Sequence, residues 1–185
     1  MARYKILFDA DVLAPMPLCD TVLRLAAFGL FEAYWSEAIL TEVGRTLAKF
    51  GKTEAQIERR ISQMRQAFPE AIVEGFEFLI PAMTNDEKDR HVLAAAVRAG
   101  VNQVVTQNTR DFPQKSADPY KIEIHNPDEF LMNVVDLYPK QTLAAIREQS
   151  EALRRENGLD AVIAKLATQV PQFAQAIDTL VRAGA

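Results

Sequence analysis

The stretch "KILFDADVLA" (residues 5–14) ends an apolar run in two carboxylates, Asp9 and Asp11. Other acids follow at wide spacing. Glu42 lies one turn inside a helical pattern, Asp86 and Asp89 open "NDEKDRHVLAAAVRAG", and Asp111 sits in the polar turn "QNTRDFP". Taken singly, a helix glutamate such as Glu42 is ordinarily a solvated surface residue, and Asp86 is a good N-cap. Asp89 fits a capping role less well, because helical spacing places it on one face with Leu93, Ala96 and Val97. As a set, Asp9, Glu42, Asp89 and Asp111 say more, since crowded carboxylates repel one another unless a cation sits among them. The chain has one cysteine, Cys19, and two histidines, His91 and His125, so thiolate or imidazole metal sites are poorly supplied. A cation held here is a hard one, Mg²⁺ or Mn²⁺, which prefers oxygen ligands. Such an ion makes water a better nucleophile and stabilises charge on a phosphoryl oxygen. The chemistry indicated is metal-assisted phosphodiester hydrolysis.

Those acids need elements to bring them together. Residues 4–8 read as a strand covered on both faces, and 31–35 as a second strand. Helical patterns cover 18–28, 36–50 with Ser36 as cap, and 53–67, which is rich in arginine. "AIVEGF" (71–76) reads as a strand, 85–100 as a helix stopped by Gly100, and 103–106 and 121–125 as further strands. Asn126 and Pro127 start another helix. Strands alternating with helices predict an α/β fold with a parallel sheet flanked by helices. In such a sheet ligands sit beyond the carboxyl ends of the strands, where Asp9, Thr106, Asn108 and Asp111 fall. After about residue 133 the pattern becomes purely helical, with two or three helices over 139–182, punctuated by Asn157-Gly158 and Val170-Pro171. The expected organisation is a nuclease domain over 1–133 and a C-terminal helical extension over 134–185.

At 185 residues, 49% hydrophobic and 25% charged, the chain has the composition of an ordinary globular protein. It has no apolar stretch of membrane-spanning length and no secretory leader, so a cytoplasmic location without membrane contact is expected. A net charge of -4 argues against a general nucleic-acid binder. It does not argue against a nuclease, since local cations suffice. Arg90, Arg110 and Lys115 lie close in sequence to the acids and are candidates for phosphate contacts, although any one of them alone reads as a solvated charge. His91 follows Asp89 by two positions, but a lone helix histidine is more often structural and stays outside the catalytic set.

"ILFDADVLAP" and "DEKDRHVLAAAVRAGVNQVVTQNTRDFP", with "LFEAYWSEAILTEV" between them, resemble the PIN-domain nucleases, in particular VapC-type toxins of bacterial toxin–antitoxin pairs. The resemblance covers roughly residues 4–133, and "HNPDEFLMNVVDLYP" with the helices after it resembles the tail of one PIN subgroup. It implies a PIN-like three-layer fold and a Mg²⁺-dependent endoribonuclease, with Mn²⁺ as a substitute. It also implies a cognate antitoxin partner and a homodimer. Carried over, Asp9, Glu42, Asp89 and Asp111 form the catalytic set. Asp9 and Asp89 are the metal ligands, and Thr106, Asn108, Arg90 and Arg110 face substrate. Two positions depart from the family pattern. Asn108 stands where many members have Asp, so Asp111 either takes that role or supports the turn. Asp11 stands where a small polar residue is usual, and either adds a ligand or caps the turn after the strand. Two rival readings exist. A haloacid dehalogenase-type phosphatase would use Asp9-x-Asp11 and Thr106, but it needs a later strand ending in paired acids. A catalytically idle binding module would tolerate loss of Asp89.

Overall fold

The structure is a computed structural model that describes residues 4–152 and 158–184. Asn157, half of the Asn157-Gly158 break, lies outside the described residues. Among the described residues five strands form one sheet: β1 (Lys5–Phe8), β2 (Glu32–Ser36), β3 (Ile72–Val73), β4 (Gln103–Val105) and β5 (Glu123–His125). The helices are α1 (Ala10–Leu13), α2 (Leu18–Ala27), α3 (Glu37–Lys49), α4 (Glu54–Ala67) and α5 (Arg90–Ala99). They continue with α6 (Gln114–Ala117), α7 (Pro127–Leu137), α8 (Pro139–Ala152), α9 (Gly158–Leu166) and α10 (Pro171–Arg182). No helix among the described residues is long and apolar enough to cross a membrane.

The chain divides into two compact units, Met1–Pro15 with Glu32–Asn126, and Met16–Phe31 with Pro127–Ala185. The sequence boundary at 133 falls inside α7.

The first unit holds the sheet, in the order β3-β2-β1-β4-β5, with every neighbouring pair parallel. Leu7 pairs with Tyr34 on one side and Val104 on the other. The order runs outward from β1 to β3 and restarts beside β1 with β4. Connections therefore leave β1 and β4 in opposite directions and open a crevice at their carboxyl ends. Ile6, Leu7, Phe8, Val104 and Val105 are buried, as the unbroken apolar runs require of central parallel strands. Ser36 caps α3 by accepting from Ile39 N at 3.2 Å, and Ile39, Leu40, Val43 and Leu47 form the buried face of that helix. Thr53 and Gln56 form a capping box on α4. A Cβ at Gly44 would lie 3.3 Å from Ile57 Cγ2, so the glycine lets α3 and α4 approach closely. Trp35 is fully buried, with its ring edge-on to Phe68.

Three local expectations change. The strand over 71–76 shrinks to Ile72–Val73, because Gly75 turns the chain at φ 66°. The helix over 85–100 begins as a 3-10 turn at Glu87–Asp89, with Asp89 N bonded to Asp86 O, and becomes α-helical only at Arg90. The strand over 121–125 starts at Glu123, since Lys121 sits in the left-handed region at φ 57°.

In the second unit the described residues form three helices, α8 to α10, after α7. Val170 has no side-chain oxygen with which to cap α10. Asp128 of α7 does so from afar, accepting from Gln172 N at 3.1 Å and Phe173 N at 2.8 Å. Buried Gln149 of α8 accepts from Thr21 Oγ1 at 2.7 Å and donates to Pro17 O at 3.0 Å, which ties α2 into this bundle.

Candidate metal centre

Asp9 leaves the end of β1 as the N-cap of α1, its Oδ1 accepting from Ala10 N at 2.7 Å. Thr106 follows β4, is fully buried, and places its hydroxyl 2.9 Å from Asp9 Oδ2 and 3.1 Å from Asp11 Oδ2. It therefore serves the acids rather than facing solvent. Asp11 Oδ2 also accepts from Gln107 N at 3.0 Å and Asn108 N at 3.1 Å, while Asp11 Oδ1 is buried with no hydrogen-bond partner among the described residues.

On the opposite bank, Asp86 caps the 3-10 turn by accepting from Lys88 N at 3.1 Å. Its own N–H donates to Asp111 O at 3.0 Å, which locks the two acid-bearing loops together. The carboxylates of Asp86, Asp89 and Asp111 each offer an oxygen within 4.8 Å of the others. Asp86 thus does more than the capping its sequence context suggests. The signal was its spacing of three from Asp89 across a helix start. Asn108 donates its side-chain amide to Asp111 Oδ2, so Asp111 supports this turn as well as joining the acids.

Glu42 Oε1 lies 3.0 Å from His91 Nε2. His91, left out of the catalytic set on sequence grounds, is in fact what holds Glu42. Its Nδ1 is buried and has no partner among the described residues. Arg90 bonds Asn85 O through Nε at 3.3 Å, Arg110 is exposed on the same turn as Asp111, and Lys115 is exposed on α6.

The charges are felt mutually. Burial, then Asp11, with Glu42 contributing less, pushes the Asp9 carboxyl up to about 7. Burial, then Asp9 and Asp111, pushes Asp89 up to about 6. Asp11 is also raised, first by burial. His91 is raised despite its burial, because Glu42, Asp9 and Asp89 favour its charged form. Asp9 is therefore within electrostatic reach of Glu42 and Asp89, and Asp89 of Asp111. The donor set is all oxygen, it is over-supplied with negative charge, and one of its buried oxygens is orphaned. A hard divalent cation fits such a set.

The phosphatase alternative requires a strand after Thr106 that ends in paired acids. The strand that follows is β5, and it ends at His125 with Asn126 next.

Comparison with known proteins agrees with this geometry. The family model for the PIN domain matches residues 5–110, and the model for the VapC50 C-terminal domain matches 127–179. A Mycobacterium tuberculosis protein named "Putative ribonuclease VapC50" is 44% identical over 105 residues, 54% of this chain and 60% of that protein. The match thus spans less than two thirds of the relative. No solved structure matches the chain. The β1/β4 switch with Asp9 and Thr106 at its strand ends, the acid group of Asp86, Asp89 and Asp111, and the family match over residues 5–110 lead to one assignment: this chain belongs to the PIN-domain family.

Proposed function

We propose that this protein is a metal-dependent endoribonuclease, the toxin of a toxin–antitoxin pair, with RNA as substrate and a cognate antitoxin protein as partner. The observation that carries the reading is that Asp89 lies together with Asp86 and Asp111 and within electrostatic reach of Asp9, which in turn feels Asp11 and Glu42. The relative whose printed name is a ribonuclease supports it, as does the match to the VapC50 C-terminal domain.

Asp9 and Asp89 hold the ion, Mg²⁺ or in its place Mn²⁺, with Asp111 beside them. When bound, such an ion activates water and neutralises charge developing on a phosphoryl oxygen. The residues of this chain prepare the site. Thr106 orients Asp9 from behind, His91 pins Glu42, and the Asp86–Asp111 backbone bond sets the spacing of the two loops. Exposed Arg110 and Asn108, and Arg90 beside Asp89, meet the substrate backbone.

The test is cleavage of total cellular RNA by purified protein with Mg²⁺, with Mn²⁺ and with EDTA, beside Asp89→Asn. Discrete products that need metal and vanish in the variant are expected. Intact RNA under every condition, from folded protein freed of any co-purifying partner, would replace this reading with an idle binding module.

A further inference from the structure

We infer that Asp11 is itself a ligand of the ion proposed for this centre, through Oδ1, while its Oδ2 fastens the β4 loop. The inference rests on the metal-dependent reading above. Three donors converge on Oδ2, from Thr106 Oγ1, Gln107 N and Asn108 N. They fix the plane of the carboxylate, so Oδ1 cannot swing round to share them. Oδ1 is left buried without a partner among the described residues, an arrangement that a native structure keeps only for a reason, such as a bound ion or water.

Water and cation are distinguished by the neighbours. Thr106 has one hydroxyl hydrogen and lies within hydrogen-bond distance of both Asp9 Oδ2 and Asp11 Oδ2. That hydrogen serves one acid at a time, and the two carboxylates face each other across it. Water would satisfy Oδ1 but leave the repulsion in place, whereas a cation answers both. Asn108, the last residue of the 106–108 stretch that Asp11 grips, brings no charge of its own. Asp11 therefore supplies the carboxylate at this edge of the crevice.

The experiment is Mn²⁺ titration of the metal-stripped full chain by calorimetry, comparing the unaltered protein with Asp11→Asn and Glu87→Gln. Asparagine at 11 keeps a carbonyl oxygen for the three donors and puts an amide where Oδ1 stands. Glu87→Gln removes an equal charge from an exposed neighbour. Asp11→Asn should weaken Mn²⁺ binding about tenfold or more, with no loss of metal-free stability. Glu87→Gln should change binding by less than about threefold. Equal effects of the two variants, or an unchanged affinity in Asp11→Asn, would reduce Asp11 to a loop cap. If Asp11→Asn does not fold, Mn²⁺ anomalous scattering from crystals of the unaltered protein decides. An ion within coordination distance of Oδ1 is expected, and one held by Asp9 and Asp89 without Oδ1 overturns the assignment. Failure of the unaltered protein both to bind Mn²⁺ and to cut RNA would sink the proposed function and this inference together. RNA cleavage with Asp11 uninvolved in binding would sink the inference alone.

Discussion

Glu42 shows what a single residue gains from its surroundings. In the sequence it is one helix glutamate among several. In the fold, His91, 49 positions away, holds its carboxylate at 3.0 Å. That contact turns a flexible side chain into a fixed one, and groups that orient an active carboxylate commonly matter as much as its neighbours do. His91→Leu should therefore lower the RNA cleavage rate about tenfold or more, with the protein still folded. His91→Gln, whose amide N–H can replace Nε2–H, should recover most of the rate. Equal rates for the leucine and glutamine variants would show that the ring matters only for packing. The same scale explains Thr106, whose position after a strand is readable but whose burial behind two acids is not.

At the level of elements, α1 is a single turn that carries Asp11 and cannot be stable alone. Its last carbonyls are orphans of the kind every helix end presents. Arg60 of α4 satisfies two of them, donating to Leu13 O at 2.7 Å and Ala14 O at 2.9 Å. The arginine-rich helix α4 thus has one arginine turned inward to brace α1. Arg60→Met keeps the apolar stem but loses both bonds, each a hydrogen bond to a charged donor. It should cost about 1.5–3 kcal/mol of stability and lower the melting temperature by roughly 3–10 °C. Arg60→Lys should recover only part, because its single nitrogen cannot reproduce the fixed spacing of the two guanidinium nitrogens. A melting temperature unchanged in Arg60→Met would show that α1 is held by packing alone.

For the whole molecule, the crowded acids tie stability to pH. Asp9 titrates near 7 and Asp89 near 6 in the metal-free fold, against an ordinary value of 3.8. Both are raised, so between those limits the folded chain binds more protons than the unfolded chain. Stability from these groups is therefore highest below the ordinary carboxylate value and falls as pH rises through 7. In EDTA, Asp9→Asn should lose less stability than the unaltered protein between about pH 5 and pH 8. At about pH 8 its melting temperature should be higher by roughly 2–4 °C or more. Thermal unfolding across that range checks it. A variant less stable than the unaltered protein at pH 8 would mean that the hydrogen bonds of Asp9 outweigh its burial and repulsion.

Much of this protein is written locally. The apolar runs of β1 and β4, the Ser36 and Thr53 caps and the glycine stop at Gly100 each follow from hydrogen bonding and periodicity over a few residues. So does the parallel sheet, since strands and helices alternate, and so do the acids that end up in the crevice. Boundaries were less legible where a single backbone angle decides them, as at Gly75 and Lys121, or where a distant bond does, as at Asp86. Tertiary structure alone decided the pairings that make a site: His91 with Glu42, Asp11 with the 106–108 loop, and Asp86 with Asp111. A carboxylate's position along a chain follows from its own segment. Its charge state and role depend on donors and acids from other segments, and strand order determines which of those arrive.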